Sequence, residues 1–227
     1  NEETRYYLNG IYFHAVQNSA SGSLFRAVAT DGHRMARAEI AAPAGAEGMG
    51  GIIVPKKTVG EVQKLLDGVD GDVHVEVSDT KIRVTVGPVV LLSKLIEGTF
   101  PDYDRVTPKN NDKQMLVDKA GFAIAVDRVS TIASDRGGKA VKLSASNGLL
   151  ELSVTNPDHG TASEEVAVDF DTDGFEIGFN ARYLLDIITQ IRTESAVFLF
   201  NDANSPTLVK EEGSEANALY VLMPMRV

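Results

Sequence analysis

The sequence predicts an α+β chain built from two similar domains in tandem, each with helices on one face of antiparallel sheets. Three observations lead there. Strand signals dominate the chain, and three segments carry helical periodicity. One order of elements, strand–helix–strand–strand–strand, occurs twice, the second instance beginning about 124 residues after the first.

Taken in order, Arg5 to Val16 is rich in Tyr, Leu, Ile and Phe, with Asn9-Gly10 as a turn signal. Leu24 to Ile40 is a second extended stretch, interrupted by Thr30-Asp31-Gly32-His33. Pro55 and Gly68 bracket a helix from Lys56 to about Leu66, which puts Val59, Val62, Leu65 and Leu66 on one face. Residues 73–77 and 82–86 alternate with period two around Ser78-Asp79-Thr80, the pattern of half-buried antiparallel strands. A second helix is expected from Asp118 to Ala133, with Phe122, Val126, Val129 and Ile132 at helical spacing and Gly137-Gly138 ending the region. Ser146-Asn147-Gly148 between two alternating apolar runs predicts a hairpin. A third helix is expected from Ala181 to Ile191, aligning Leu184, Ile188 and Ile191, with Asn180 as its N-cap.

The repeat pairs Ile53-Val54-Pro55, the first helix and three strands with Gly178-Phe179-Asn180, the third helix and three strands. The two copies share almost no residues, so the order of elements carries the reading. A boundary is expected near Phe100–Pro108, where two prolines and a charge cluster follow an apolar strand, giving domains 1–105 and 106–227. The chain begins with Asn1, close to a strand signal, and is expected to be part of something longer.

Composition excludes several classes. The 227 residues contain no Cys, so disulfides, thiolate zinc sites, iron–sulfur clusters and a Cys nucleophile are ruled out. That is compatible with the expected cytoplasmic location. No apolar run approaches the roughly 18 residues of a membrane span, and no basic segment leads into an apolar one at the start. No membrane partner is expected. Lys and Arg number 22 against 32 Asp and Glu, a formal charge of −10, so phosphate binding would require cations gathered on one face. Such a gathering is visible near the helices: Lys56, Lys57 and Lys64 at the first, Lys119, Arg128, Arg136 and Lys139 at the second, and Arg182 and Arg192 around the third. The same pattern is also that of ordinary solvated helix surfaces, and Asp118, Asp127 and Asp186 sit among these cations.

Chemistry-bearing motifs are scarce. There is no phosphate-cradling glycine loop, no nucleophile elbow, and no pairing of His14, His33, His74 or His159 at metal-ligand spacing. No catalytic residue, metal or cofactor is expected. Asp31-Gly32-His33-Arg34 reads either as an acid–base group or as a turn after which His33 and Arg34 re-enter a strand. The apolar tail Tyr220–Val227 reads either as a strand end in its own core or as an adaptable recognition surface carrying Met223 and Met225.

Five strings resemble the bacterial DNA polymerase III β subunit family, the sliding clamps. They are Arg5-Tyr6-Tyr7-Leu8-Asn9-Gly10, residues 28–36 around Thr30-Asp31-Gly32-His33-Arg34, Phe100-Pro101-Asp102-Tyr103, Ile177-Gly178-Phe179-Asn180 and Met223-Pro224-Met225-Arg226. They keep the family's order along nearly the whole chain. The resemblance implies a DNA-clamp fold, with this chain corresponding to the second and third of three similar domains. It implies a non-enzymatic processivity factor that encircles duplex DNA without reading sequence, and a homodimeric ring when full length. It also implies partners docked by short linear motifs: DNA polymerase III and other polymerases, the clamp loader, and mismatch-repair and ligase-type proteins. The docking groove would lie between the two domains. Its matching positions are Leu8, Thr30, Gly32, His33, Arg34, Met35, Pro101, Arg105, Val106, Tyr183, Thr207, Val221, Met223, Pro224, Met225 and Arg226. For DNA the resemblance points to Arg5, Tyr6, Tyr7 and Lys57, with the helix-side cations Lys56, Lys64, Arg128, Arg136 and Lys139. Thr131 and Ile132 fall at the family's subunit interface.

Overall fold

Strands and helices follow one another in a computed structural model that describes residues 4–18, 22–133, 139–172, 174–213 and 218–227. The polypeptide divides into two units, Asn1–Asp31 with Arg37–Asp102, and Gly32–Ala36 with Tyr103–Val227.

The first unit opens with a 3-10 turn, Tyr6–Leu8, where an extended segment was expected from Arg5. Strands β1 (Gly10–Asn18), β2 (Gly22–Thr30), β3 (Arg34–Ala41) and β4 (Ile52–Pro55) follow, with β1 between β2 and β4. Helix α1 (Lys56–Leu66) comes next, then the antiparallel sheet of β5 (Val73–Val77), β6 (Lys81–Val86) and β7 (Val89–Lys94). Val59, Val62 and Leu65 of α1 pack on Val54, Ile82, Val84 and Val86, while Leu66 is exposed. All five residues of β5 are exposed, against the half-buried expectation. The reason is position: β5 is the sheet's edge, and α1 packs against β1, β4 and β6.

The second unit holds two strand–helix–strand–strand–strand sets in succession. The first is β8 (Lys113–Asp118), α2 (Lys119–Ser130), β9 (Ala140–Ser146), β10 (Leu149–Asn156) and β11 (Gly160–Phe170). The second is β12 (Phe175–Asn180), α3 (Ala181–Ile188), β13 (Ser195–Phe200), β14 (Thr207–Glu211) and β15 (Ala218–Leu222). The order seen twice in the sequence therefore occurs three times. The strands run β12-β9-β10-β11-β8-β13-β14-β15. Asn147 and Gly148 both take positive φ, 52° and 74°, the type I′ geometry that suits a two-residue hairpin.

Both helices of this unit are capped by side chains. Asp118 accepts from the Gly121 N–H, and Asn180 accepts from the N–H groups of Arg182 and Tyr183. Each ends a turn or so earlier than the periodicity suggests. The N–H groups of Thr131, Gln190 and Ile191 bond three residues back, tightening the last turn. The core beneath α2 and α3 is large and includes Phe122, Phe179, Phe198, Phe200, Leu143, Leu152, Leu184 and Ile188, all fully buried. Among the described residues, no helix is long and apolar enough to cross a membrane.

Candidate functional site

Three segments of the second unit converge: residues 32–36, α3 and the tail after β15. Gly32, at φ 88°, turns the chain so that Arg34 begins β3. The turn reading of Asp31-Gly32-His33-Arg34 is thus the one the backbone adopts. The Met223 N–H donates to the His33 carbonyl at 2.9 Å, tying this turn to the end of β15.

Tyr183 and Asp186 stand three apart on α3 and so share a face. The Arg34 guanidinium lies over the Tyr183 ring, 4.2 Å from its centroid, and its Nη1 donates to Asp186 Oδ2 at 2.6 Å. The His33 ring stacks near the same tyrosine, 6.5 Å between centroids and 28° between planes. Tyr183 is thereby flanked by an imidazole and a guanidinium whose direction Asp186 sets. The pair is partly solvated, so its energetic weight is modest, at most about 1 kcal/mol. Its importance is orientation. Asp186 is absent from the residues expected at the site, although its i+3 spacing from Tyr183 is visible in the sequence.

The tail is laid down by Gly178. The Met225 N–H donates to the Gly178 carbonyl at 2.7 Å, an isolated antiparallel bridge. A Cβ at Gly178 would lie 2.4 Å from Val227 Cγ1 and 2.6 Å from the Met225 carbonyl oxygen, so only glycine admits this approach. Met35, Thr207 and Val221 are buried and form the ground beneath the surface, while Met223, Arg226, Arg105 and Val106 are exposed and Pro224 and Met225 half-buried. Thr207 Oγ1 is fully enclosed, with no hydrogen-bond partner among the described residues. Arg105, Val106 and Met223 also line an open cleft of about 380 Å³ whose other walls are residues 107–111 and Asn201, Ser205 and Pro206. Taken chemically, the second unit offers apolar contacts from Met and Val beside a fixed guanidinium and an imidazole. Leu8, Thr30 and Pro101 belong to the first unit.

Of the residues expected to meet DNA, Tyr6 is exposed and packs edge-on against Tyr7 at 5.9 Å, with Arg5 preceding them. Lys56 and Lys57 open α1 and are exposed. Lys64 is paired with Glu61 at 3.1 Å, and Arg128 with Glu164 at 3.0 Å, so their charges are partly offset locally. Lys139 is exposed at φ 51°, and Arg136 lies outside the described residues, as does Gly137-Gly138. Thr131 caps α2, donating to the Asp127 carbonyl. Ile132 packs on the core of its own unit and its carbonyl accepts from Asn156 Nδ2 at 2.7 Å. Among the described residues no group of three or more His, Cys, Asp or Glu side chains could hold a metal ion.

The family described as DNA polymerase III beta subunit, C-terminal domain, matches residues 104–226, and its central-domain counterpart matches residues 1–102. The chain belongs to the DNA polymerase III beta subunit family. It is 50% identical over 226 residues to the beta sliding clamp of Caulobacter vibrioides and 38% identical to that of Pseudomonas aeruginosa. All of this chain is matched in each case, but it spans only 60% of the length of those curated relatives. A DnaN sliding clamp from Bartonella birtlesii, solved bound to griselimycin, superimposes with a TM-score of 0.95 at 52% identity, covering 100% of this chain and 60% of that one. The Caulobacter crescentus clamp gives 0.92 at 49% identity with the same coverage.

Proposed function

We propose that this chain comprises the second and third domains of a sliding clamp, with the division between them near residue 105. In this reading it is a non-enzymatic processivity factor that encircles duplex DNA and docks partner proteins by short peptide motifs. The observation that carries the reading is half-identity to a beta sliding clamp along the entire chain. Encirclement would bring Lys56, Lys57, Lys64, Arg128, Arg136 and Lys139 against phosphates, contacts that hold DNA without reading its sequence. Arg5, Tyr6 and Tyr7 would add stacking on unpaired bases. The ring would close as a homodimer through Thr131 and Ile132 against a domain beyond this sequence.

The docking groove would combine Leu8, Thr30 and Pro101 with residues 32–35, Arg105, Val106, Tyr183, Thr207, Val221 and the Met223–Arg226 tail. The juxtaposition of His33, Arg34, Tyr183 and Met223 supports it: apolar walls take Leu or Phe anchors and the polar rim sets direction. The griselimycin-bound Bartonella clamp supports a ligand-taking site in this chain as well. Polymerases, the clamp loader and mismatch-repair and ligase-type proteins are the proposed partners.

The test is an NMR titration with a Gln-x-x-Leu-x-Phe-type peptide, expected to shift the Met223, Met225 and Thr30 methyl signals. An unmoved spectrum would reject the docking reading. For DNA, affinity should fall with salt and be lost when Lys56, Lys57 and Arg128 are neutralised together. Affinity unchanged by either would reject DNA binding through these cations.

A further inference from the structure

The cleft between residues 105–111 and Asn201, Ser205 and Pro206 carries chemistry that the docking reading leaves unused. Part of its surface is apolar: Val106 is 53% and Met223 40% exposed, and Pro206 lies with them. Two cations also line it, Arg105 and Lys109, both exposed and neither in an ion pair among the described residues. Of the acidic groups close in sequence, Asp102 is exposed and in no ion pair among the described residues, while three others are already engaged. Asp112 pairs with Lys113 at 3.3 Å, Asp202 accepts from the Asn204 and Ser205 N–H groups and the Ser205 hydroxyl, and Asp104 has an interaction of its own. On a chain of net charge −10, two uncommitted cations beside exposed apolar groups form a local site for an anionic group.

The walls are also braced. The Asn111 carboxamide donates to the Leu199 and Pro206 carbonyls at 2.8 and 2.9 Å, and Lys113 Nζ donates to the Asn201 carbonyl at 2.6 Å. The cleft is therefore preformed, which lowers the ordering cost of filling it.

We propose that this cleft receives an acidic stretch of a partner's linear peptide, flanking the apolar anchors of the docking motif, with carboxylates against Arg105 and Lys109. The inference rests on the docking reading, because Arg105, Val106 and Met223 belong to both. A peptide fits better than nucleic acid: exposed Val106 and Met223 beside half-buried Pro206 suit side chains, whereas a phosphodiester keeps its water and gains nothing from them.

The experiment uses the full 227-residue chain and five peptides: a Gln-x-x-Leu-x-Phe-type core, the core with two Asp added at one end or the other, and the two matching Asn-extended controls. At low salt, one Asp-extended peptide should bind about threefold or more tightly than its Asn control. The gain should shrink as salt rises and shrink again in Lys109→Gln, where Arg105 alone remains, and the Asn110 and Asn201 side-chain amides should shift. Equal affinities for Asp and Asn peptides while the core still binds would overturn the inference and leave docking intact. A gain left undiminished in Lys109→Gln would overturn it too, as would shifts at Asn110 and Asn201 caused by a duplex oligonucleotide and not by the acidic peptide. Failure of every peptide, core included, would overturn docking and this inference together.

Discussion

In the second unit α2 and α3 pack against each other and together cover a sheet, whereas in the first unit α1 alone covers its strands. The consequence is visible in what each helix buries. Phe122, Ala125, Val126 and Val129 of α2 and Leu184, Ile187 and Ile188 of α3 disappear into one core; α1 fully buries only Thr58. The sheet beside α1 leaves Val73, Val75 and Val77 at 37%, 53% and 38% exposure. The same order of elements thus yields a deep core or a thin one according to what lies across the sheet. A strand's alternation shows that it has an apolar face without saying whether that face is covered.

The sharpest way to break this comparison is one chemical change on two helices. Leu184→Ala should destabilise the second unit by about 2–5 kcal/mol, whereas Leu65→Ala, half-buried on α1, should cost the first only about 1 kcal/mol. Denaturant unfolding followed at each unit's amides measures both, and equal losses would contradict the contrast. Next in size is Gly178→Ala, which forces the Met223–Val227 tail off β12 at about 1–3 kcal/mol. Faster hydrogen exchange at the Met225 amide would register it, and an unchanged rate would show that the bridge does not depend on glycine.

Asp186→Asn should cost at most about 1 kcal/mol of stability, because both partners are partly solvated. It should nonetheless weaken peptide binding severalfold by releasing Arg34 from Tyr183. Unchanged peptide affinity would make Asp186 a surface residue only. Smallest is a pH effect in the 202–205 turn. Hydrogen bonds from the Asn204 backbone, the Ser205 hydroxyl and the Ser205 backbone hold the Asp202 carboxyl below its usual value. A carboxylate lowered in the folded state stabilises above its unfolded pKa and loses that contribution as pH falls through the folded one. The turn should therefore loosen only on acidification below about pH 4. A carboxyl NMR titration with its midpoint at or above that value would contradict it.

Local chemistry made much of the fold legible. Asn147-Gly148 determines its hairpin because only a few residue types tolerate two positive φ angles in succession. Asn180 announces the start of α3 because its short amide reaches two free N–H groups, and Asp31-Gly32 marks a turn. The third instance of the repeat was harder to see, since β8 and β11 carry mixed residues that reveal their place only beside β13 and β10. At the site, the motif strings located His33, Arg34 and the Met223–Arg226 tail, but their partners were not readable. Arg34 finds Asp186 across 152 positions, and Met225 finds Gly178 on a strand that precedes it by a helix and three further strands.

The sequence by itself determined turns, caps, helix faces and the family, because these depend on residues a few positions apart or on strings read directly. Tertiary structure alone decided which apolar faces are covered, which cations keep an acidic partner, and which uncharged surfaces border Arg105 and Lys109. Those outcomes depend on distances through space between residues far apart in the chain, and on the competition of each charge with water for the neighbour that folding supplies.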